Sequence, residues 1–206
     1  MNKQGGPKLA TFVGVTLMAG SLGIFLISQG TGNVRAAAQN KTVTDAIMKI
    51  ADEFKKGNTA GAKTQAEAFA KTIEDLDEVM DLLKPRKKNG VGVGKVPGAI
   101  VPDGIEQMLI TLGRDAPGAG TMAKQAEALE EMSYVISAIA EVAIAKPPTK
   151  FAAKQNKKDW MTWSTEVRSS ALEFAKAAKA KGAQDVHSAA KKMNNACNSC
   201  HTVFRN

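Results

Sequence analysis

Cys197, Cys200 and His201 stand together as Cys197-Asn198-Ser199-Cys200-His201, within the last ten residues of a 206-residue chain. Two thiols three positions apart can each form a thioether to a porphyrin vinyl group. The imidazole that follows can then bind the iron, and Cys-x-x-Cys-His is the pattern by which c-type haem is attached. These are the only cysteines of the chain, and His201 is one of its two histidines. Other chemistries use parts of this pattern. In an oxidising compartment the two thiols can close a disulfide. A dithiol redox centre normally precedes a helix in a strand-helix-strand unit. Structural zinc usually takes four ligands from turns, here Cys197, Cys200 and one or both histidines.

The haem reading needs a helix to carry the motif. Aromatic content is only 5 %, and alanine and lysine are abundant, which favours helix over sheet. From Ala183 to about Phe204, the residues Val186, Ala190, Met193, Cys197, Cys200 and Phe204 share one helical face. Both thiols then lie one turn apart on the inward side, and His201 projects about 100° around the helix from Cys200. The small residues Ala189, Ala190 and Ala196 leave room beside the helix for a macrocycle. Arg205 falls four residues after His201, where it can pair with a haem propionate or act as a helix-end cation. His187 lies about four turns earlier, roughly 20 Å along the axis, and reads as a surface histidine.

Apolar spacing predicts further helices over Thr42–Lys56, Thr59–Lys84, Thr121–Ala145 and about Asn156–Lys181. Gly57, Pro85, Pro147-Pro148 and Gly182 stop them, and Thr121 is the expected cap of the third. Val43, Ile47, Ile50, Ala51 and Phe54 mark the inner face of the first. Trp160, Trp163, Val167, Phe174 and Ala178 mark that of the fourth. A short helical turn fits Ile105–Leu112. Residues 85–104, rich in Gly and Pro and carrying Arg86-Lys87-Lys88, read as a surface loop or ordered excursion. No segment has a strand period of any strength. The expected fold is all-α: an antiparallel four-helix bundle over residues 39–206, with an inserted helix and loop and a Gly/Pro-rich excursion at 85–120.

Residues 1–38 read as an export segment. Lys3 and Lys8 precede an apolar run from Leu9 to Ser28, and Ala36-Ala37-Ala38 offers a small-residue cleavage site. The run is also just long enough to anchor in a bilayer if retained. Residues 29–41 read as a flexible linker. Net charge is +8; without the three cations of residues 1–38, 25 basic and 20 acidic residues leave +5. The remaining basic residues are dispersed among acids, which argues against nucleic acid and fits an acidic partner protein.

A Cys-x-x-Cys-His near the C-terminus, followed by Phe204-Arg205 on the final helix of a bundle, resembles the class II c-type cytochromes, the cytochrome c prime group. The stretch from Trp160-Met161-Thr162-Trp163 through Arg205 is similar in pattern: an aromatic helix, a Gly-containing turn, then an Ala-rich helix ending in the motif. Residues 57–120 depart from the family's compact bundle. The resemblance implies one covalent haem c on Cys197 and Cys200, with His201 as proximal iron ligand. It also implies a sixth position that is either open or filled by a Met of the first helix. Met48, in Ala46-Ile47-Met48-Lys49, falls where such a Met would lie, and Met80 is its rival. Met132 and Met193 read as core.

The functional expectation is an exported monohaem electron carrier, not an enzyme, sited in the periplasm or on the outer face of the bacterial plasma membrane. Its partners are redox proteins, with homodimerisation as a further expectation of the resemblance. The alternative is a five-coordinate haem protein that binds small gases such as NO or CO.

Overall fold

The computed structural model describes residues 31–205, and among them all regular structure is helical. The elements are α1 (Thr31–Lys55), α2 (Thr59–Ala70), α3 (Asp77–Asp81), α4 (Ile105–Arg114), α5 (Ala119–Ala145), α6 (Lys157–Lys179) and α7 (Ala183–Phe204). The four long helices α1, α5, α6 and α7 build the all-α bundle, and α2, α3 and α4 are short additions. In packing order, α1 and α2 lie on α5, α5 on α6, α6 on α7, and α7 on α4. The apolar run Leu9–Ser28 lies outside the described residues. No described helix is long and apolar enough to cross a membrane.

The apolar stripes read from the sequence are the core. Val43, Ile47, Ile50, Ala51 and Phe54 of α1 are buried, as are Met122, Leu129, Met132, Ile136 and Ile139 of α5. Phe174 and Ala178 of α6 and Val186, Ala190 and Met193 of α7 complete it. The ends of α2 and α6 follow side-chain capping chemistry. Asn58 accepts a hydrogen bond from the Gly61 amide at 3.0 Å, and Asn156 accepts one from Asp159 at 2.8 Å. Helix α5 begins earlier than Thr121, at Ala119, after Gly118 in extended conformation and without a side-chain cap.

Two expectations change, and one open alternative is decided. Residues 31–41 are not a linker, because α1 starts at Thr31 and takes in Ala36–Ala38. The helix expected over Thr59–Lys84 is broken into α2 and α3. Local polar groups end it: Thr72 donates to the Phe69 carbonyl at 2.8 Å, and Asp75 accepts from the Asp77 amide at 2.9 Å. Lys146, just past the end of α5, then donates to the carbonyls of Ala70 and Ile73, at 3.3 and 2.6 Å. A distant ammonium thus satisfies the orphan acceptors of a helix C-terminus. Lastly, residues 85–104 form an ordered strap. Val93 is fully buried within it and Ile100 nearly so. The Arg86 guanidinium holds the strap closed by pairing with Asp103 and donating to the Gly94 carbonyl. Gly94 sits at φ +72, a left-handed conformation that a side chain would strain.

Helix α5 also carries a polar stripe that the apolar pattern concealed. Ser133, Ser137 and Glu141, four apart, are all buried. The serines return their hydroxyls to backbone carbonyls of the preceding turn. Glu141 accepts from Arg168 of α6 at 2.6 Å. Removing one partner of a buried pair leaves an uncompensated charge and costs about 3–5 kcal/mol, whereas replacing both with apolar groups is often near neutral. Arg168→Met is therefore expected to lower urea stability by about that amount. The double variant Glu141→Leu/Arg168→Met is expected to regain most of it.

Candidate functional site

Helix α7 carries Cys197, Cys200 and His201 in its last two turns, and two sets of contacts hold those turns in place. At the C-terminal end, Phe204 is ringed by three aromatic edges. Its centroid lies 5.0 Å from Trp160, 5.7 Å from Trp163 and 6.0 Å from Phe151, all near-perpendicular. Such edge-to-face contacts add to the stabilisation that burial supplies. Trp160 is itself fixed, because its indole N–H donates to the Ala143 carbonyl of α5 at 2.8 Å. Gln155, in the link before α6, donates to the Val203 carbonyl at 2.8 Å. That bond satisfies one of the free acceptors at the end of α7.

On its other flank α7 meets α4 closely. A Cβ on Gly113 would stand 3.3 Å from the Lys191 Cα, so the absence of a side chain there sets the approach. His187 donates from Nδ1 to the Leu112 carbonyl at 2.8 Å. It is half-buried and ties α4 to α7, rather than standing free on the surface. Helical carbonyls point toward the C-terminus. The Leu112 carbonyl therefore reaches His187, before the Ala190–Lys191 contact, only if the two helices run antiparallel.

In this setting Cys197, Cys200 and His201 are each half-buried. Neither cysteine is in a disulfide. Burial pushes the Cys197 thiol up to about 12, helped by Cys200 and by Glu106 of α4. Burial alone pushes Cys200 up to about 11. His201 is lowered, first by burial and then by the Arg205 cation, while Glu106 opposes the shift. Two neutral thiols and a neutral imidazole line one partly open side of a helix. Among the described residues no three His, Cys, Asp or Glu side chains gather into a metal-binding group, so the zinc reading lacks its ligands.

Residues 104–205 match the family model described as Cytochrome C'. The chain belongs to the cytochrome C' family. The matched segment runs from Gly104, the residue preceding α4, through Arg205, and so contains α4, α5, α6 and α7. Residues 104–120, expected to depart from the family, lie inside the match. No curated protein and no solved structure matches the chain. Members of the cytochrome C' family bind one covalently attached haem c per chain, and this is the cofactor of the protein. The donor set fits it: two un-ionised sulfurs one turn apart, an adjacent imidazole, and small buried neighbours at Ala189 and Ala196.

Arg205 follows the motif as the residue after the last turn of α7. It is exposed, and its charge acts on His201. Met48 is not placed with it. It is 43 % exposed on α1 and lines a groove of about 560 Å³ with the 86–95 strap and the α5 residues Met132, Tyr134 and Val135. No residue of α7 lines that groove. The apolar stripe of α1 turns toward α5 and leaves Met48 to the side, a rotation fixed by the burial of Ile47 and Ile50. Met80, half-buried on the short α3, packs against the core. Glu106 is the site residue that sequence reasoning missed. It is exposed in the first turn of α4, 91 positions before Cys197, and nothing local marks it.

A thiol whose pKa is raised stays protonated, and so unreactive, over a wider range below that value. In the polypeptide made without haem, alkylation by iodoacetamide at pH 8 is expected to be slow at both cysteines and slower at Cys197. The rate should climb as pH rises toward 11 for Cys200 and toward 12 for Cys197. Peptide mapping by mass spectrometry reads each site.

Proposed function

We propose that the protein is an exported monohaem cytochrome that carries electrons between redox partner proteins and turns over no substrate of its own. In this reading Cys197 and Cys200 supply the two thioether sulfurs, His201 the proximal nitrogen, and Arg205 a cation for a propionate. Bound haem supplies a one-electron couple between ferrous and ferric iron. The observation that carries the reading is the half-buried line of Cys197, Cys200 and His201 on α7. Its inner side backs onto apolar core, which shields an iron centre from water and tunes its potential. Its outer side is open, which brings a haem edge within reach of a partner.

The chain's own residues then position and do not react. Phe204 and Gln155 hold the last turn helical, so the imidazole keeps its direction. Exposed Lys191 and Arg205 give this end of α7 a cationic rim. Such a rim would steer an acidic partner and lose effect as salt rises. Export follows from Lys3, Lys8 and the apolar run after them, and accords with attachment of c-type haem outside the bacterial plasma membrane.

One observation favours a second reading. Met48 lies in the groove on α5, away from the motif. An iron with His201 as its single protein ligand would be five-coordinate and open to NO or CO. The two readings separate in optical spectra of protein made in a cytochrome-maturing cell. Both require the denatured polypeptide to stay coloured and to weigh one haem more than its amino acids. If Met48 were a ligand, Met48→Ala would abolish the weak near-infrared sulfur-to-iron band of the ferric protein. From its placement, Met48→Ala is expected to leave the ferric spectrum unchanged. Rapid, complete spectral change of the ferrous protein on adding CO would establish the open site and overturn the carrier reading.

A further inference from the structure

We propose that Glu106 of α4 is a positioning charge for the redox centre, a fixed anion beside Cys197 and His201 that lowers the haem midpoint potential. The inference rests on the haem attachment proposed above. Two observations carry it.

The first is register. Gly113 touches α7 at Ala190 and Lys191, and the two helices are antiparallel. Glu106 precedes Gly113 by seven residues, two turns of helix, and so returns to the same stripe within about 20°. Seven residues past Ala190 on α7 is Cys197. The carboxylate is therefore carried to the level of the first attachment cysteine, on the side of α4 that meets α7.

The second is that the anchors of this register are tight. A Cβ on Gly113 would press against the Lys191 backbone at 3.3 Å, and His187 bonds the Leu112 carbonyl at 2.8 Å. At the other end of α4, the Glu106 amide donates to the Leu83 carbonyl at 3.1 Å. The first turn of α4 is thus pinned to the segment after α3.

The consequence is electrostatic. Register brings the Glu106 carboxylate to the motif from an element distant in sequence, while the Arg205 cation follows the motif at the end of α7. Oxidation adds a positive charge at the iron, and a nearby carboxylate stabilises the oxidised form more than the reduced form. A lower potential is the consequence.

The test measures midpoint potentials of the haem-loaded protein at low ionic strength. Glu106→Gln is expected to raise the potential, and Glu106→Lys to raise it about twice as far, since the charge change doubles. Glu106→Asp should stay close to the parent. Raising salt should shrink the Glu106→Gln shift, because an exposed charge is screened over a Debye length of about 8 Å at physiological ionic strength. Glu67→Gln on α2 serves as a remote control and should shift nothing. Equal potentials for parent and Glu106→Gln, or an equal shift from Glu67→Gln, would overturn the proposal. A purely structural role, as a helix N-terminal acid, would lower melting temperature without moving the potential, and that result overturns it too. A colourless polypeptide of bare amino-acid mass would instead sink the attachment reading, before any potential is measured.

Discussion

The site depends on one constraint: the last two turns of α7 must stay helical and half-buried although they end the described chain. Helix ends fray when their final carbonyls have no partner and their final side chains no neighbours. Here Phe204 is set among Phe151, Trp160 and Trp163, and Gln155 bonds the Val203 carbonyl. Trp160 passes the restraint on to α5 through the Ala143 carbonyl. The direction of the His201 imidazole is thus set by aromatic packing one turn beyond it and by a hydrogen bond to a third helix.

The same logic fixes the bundle around α7. The pair α5–α6 buries Glu141 against Arg168, and the geometry of a buried ion pair admits few alternative rotations of one helix on the other. On the far side, Gly113 sets how near α4 comes to α7, and His187 sets its height. Small residues and side-chain-to-backbone bonds therefore do the positioning, while Leu, Ile, Met and Phe supply the apolar burial that favours the compact state.

Much of the fold was legible. The 3.6-residue stripes of α1, α5, α6 and α7 identify themselves because each long helix must bury one face. The break between α2 and α3 was not legible: a seam of Ala62, Ala66, Phe69, Ile73, Leu76, Met80 and Leu83 continues through it. What ends the helix is a competition between local polar bonds and a lysine 76 positions from Ala70. The strap at 85–104 reads as surface loop or ordered excursion by composition, and what decides for order is Arg86, through bonds to Asp103 and Gly94 that composition cannot show. The direction of Met48 was not legible for a related reason: it follows from how α1 rotates onto α5.

The sequence alone supplied the residues on which the attachment proposal rests, because the two thiols and the imidazole are adjacent, and adjacency on a helix is local geometry. It also determined the helical class, since periodicity is a property of each segment by itself. Only the tertiary structure decided what surrounds that chemistry: α4 and its Glu106 laid along α7, the aromatic clasp on Phe204, and the groove on α5 that Met48 lines. Those relations are set by how helices rotate and slide against each other, and that is fixed by simultaneous packing of the whole core, which no stretch of the sequence encodes separately.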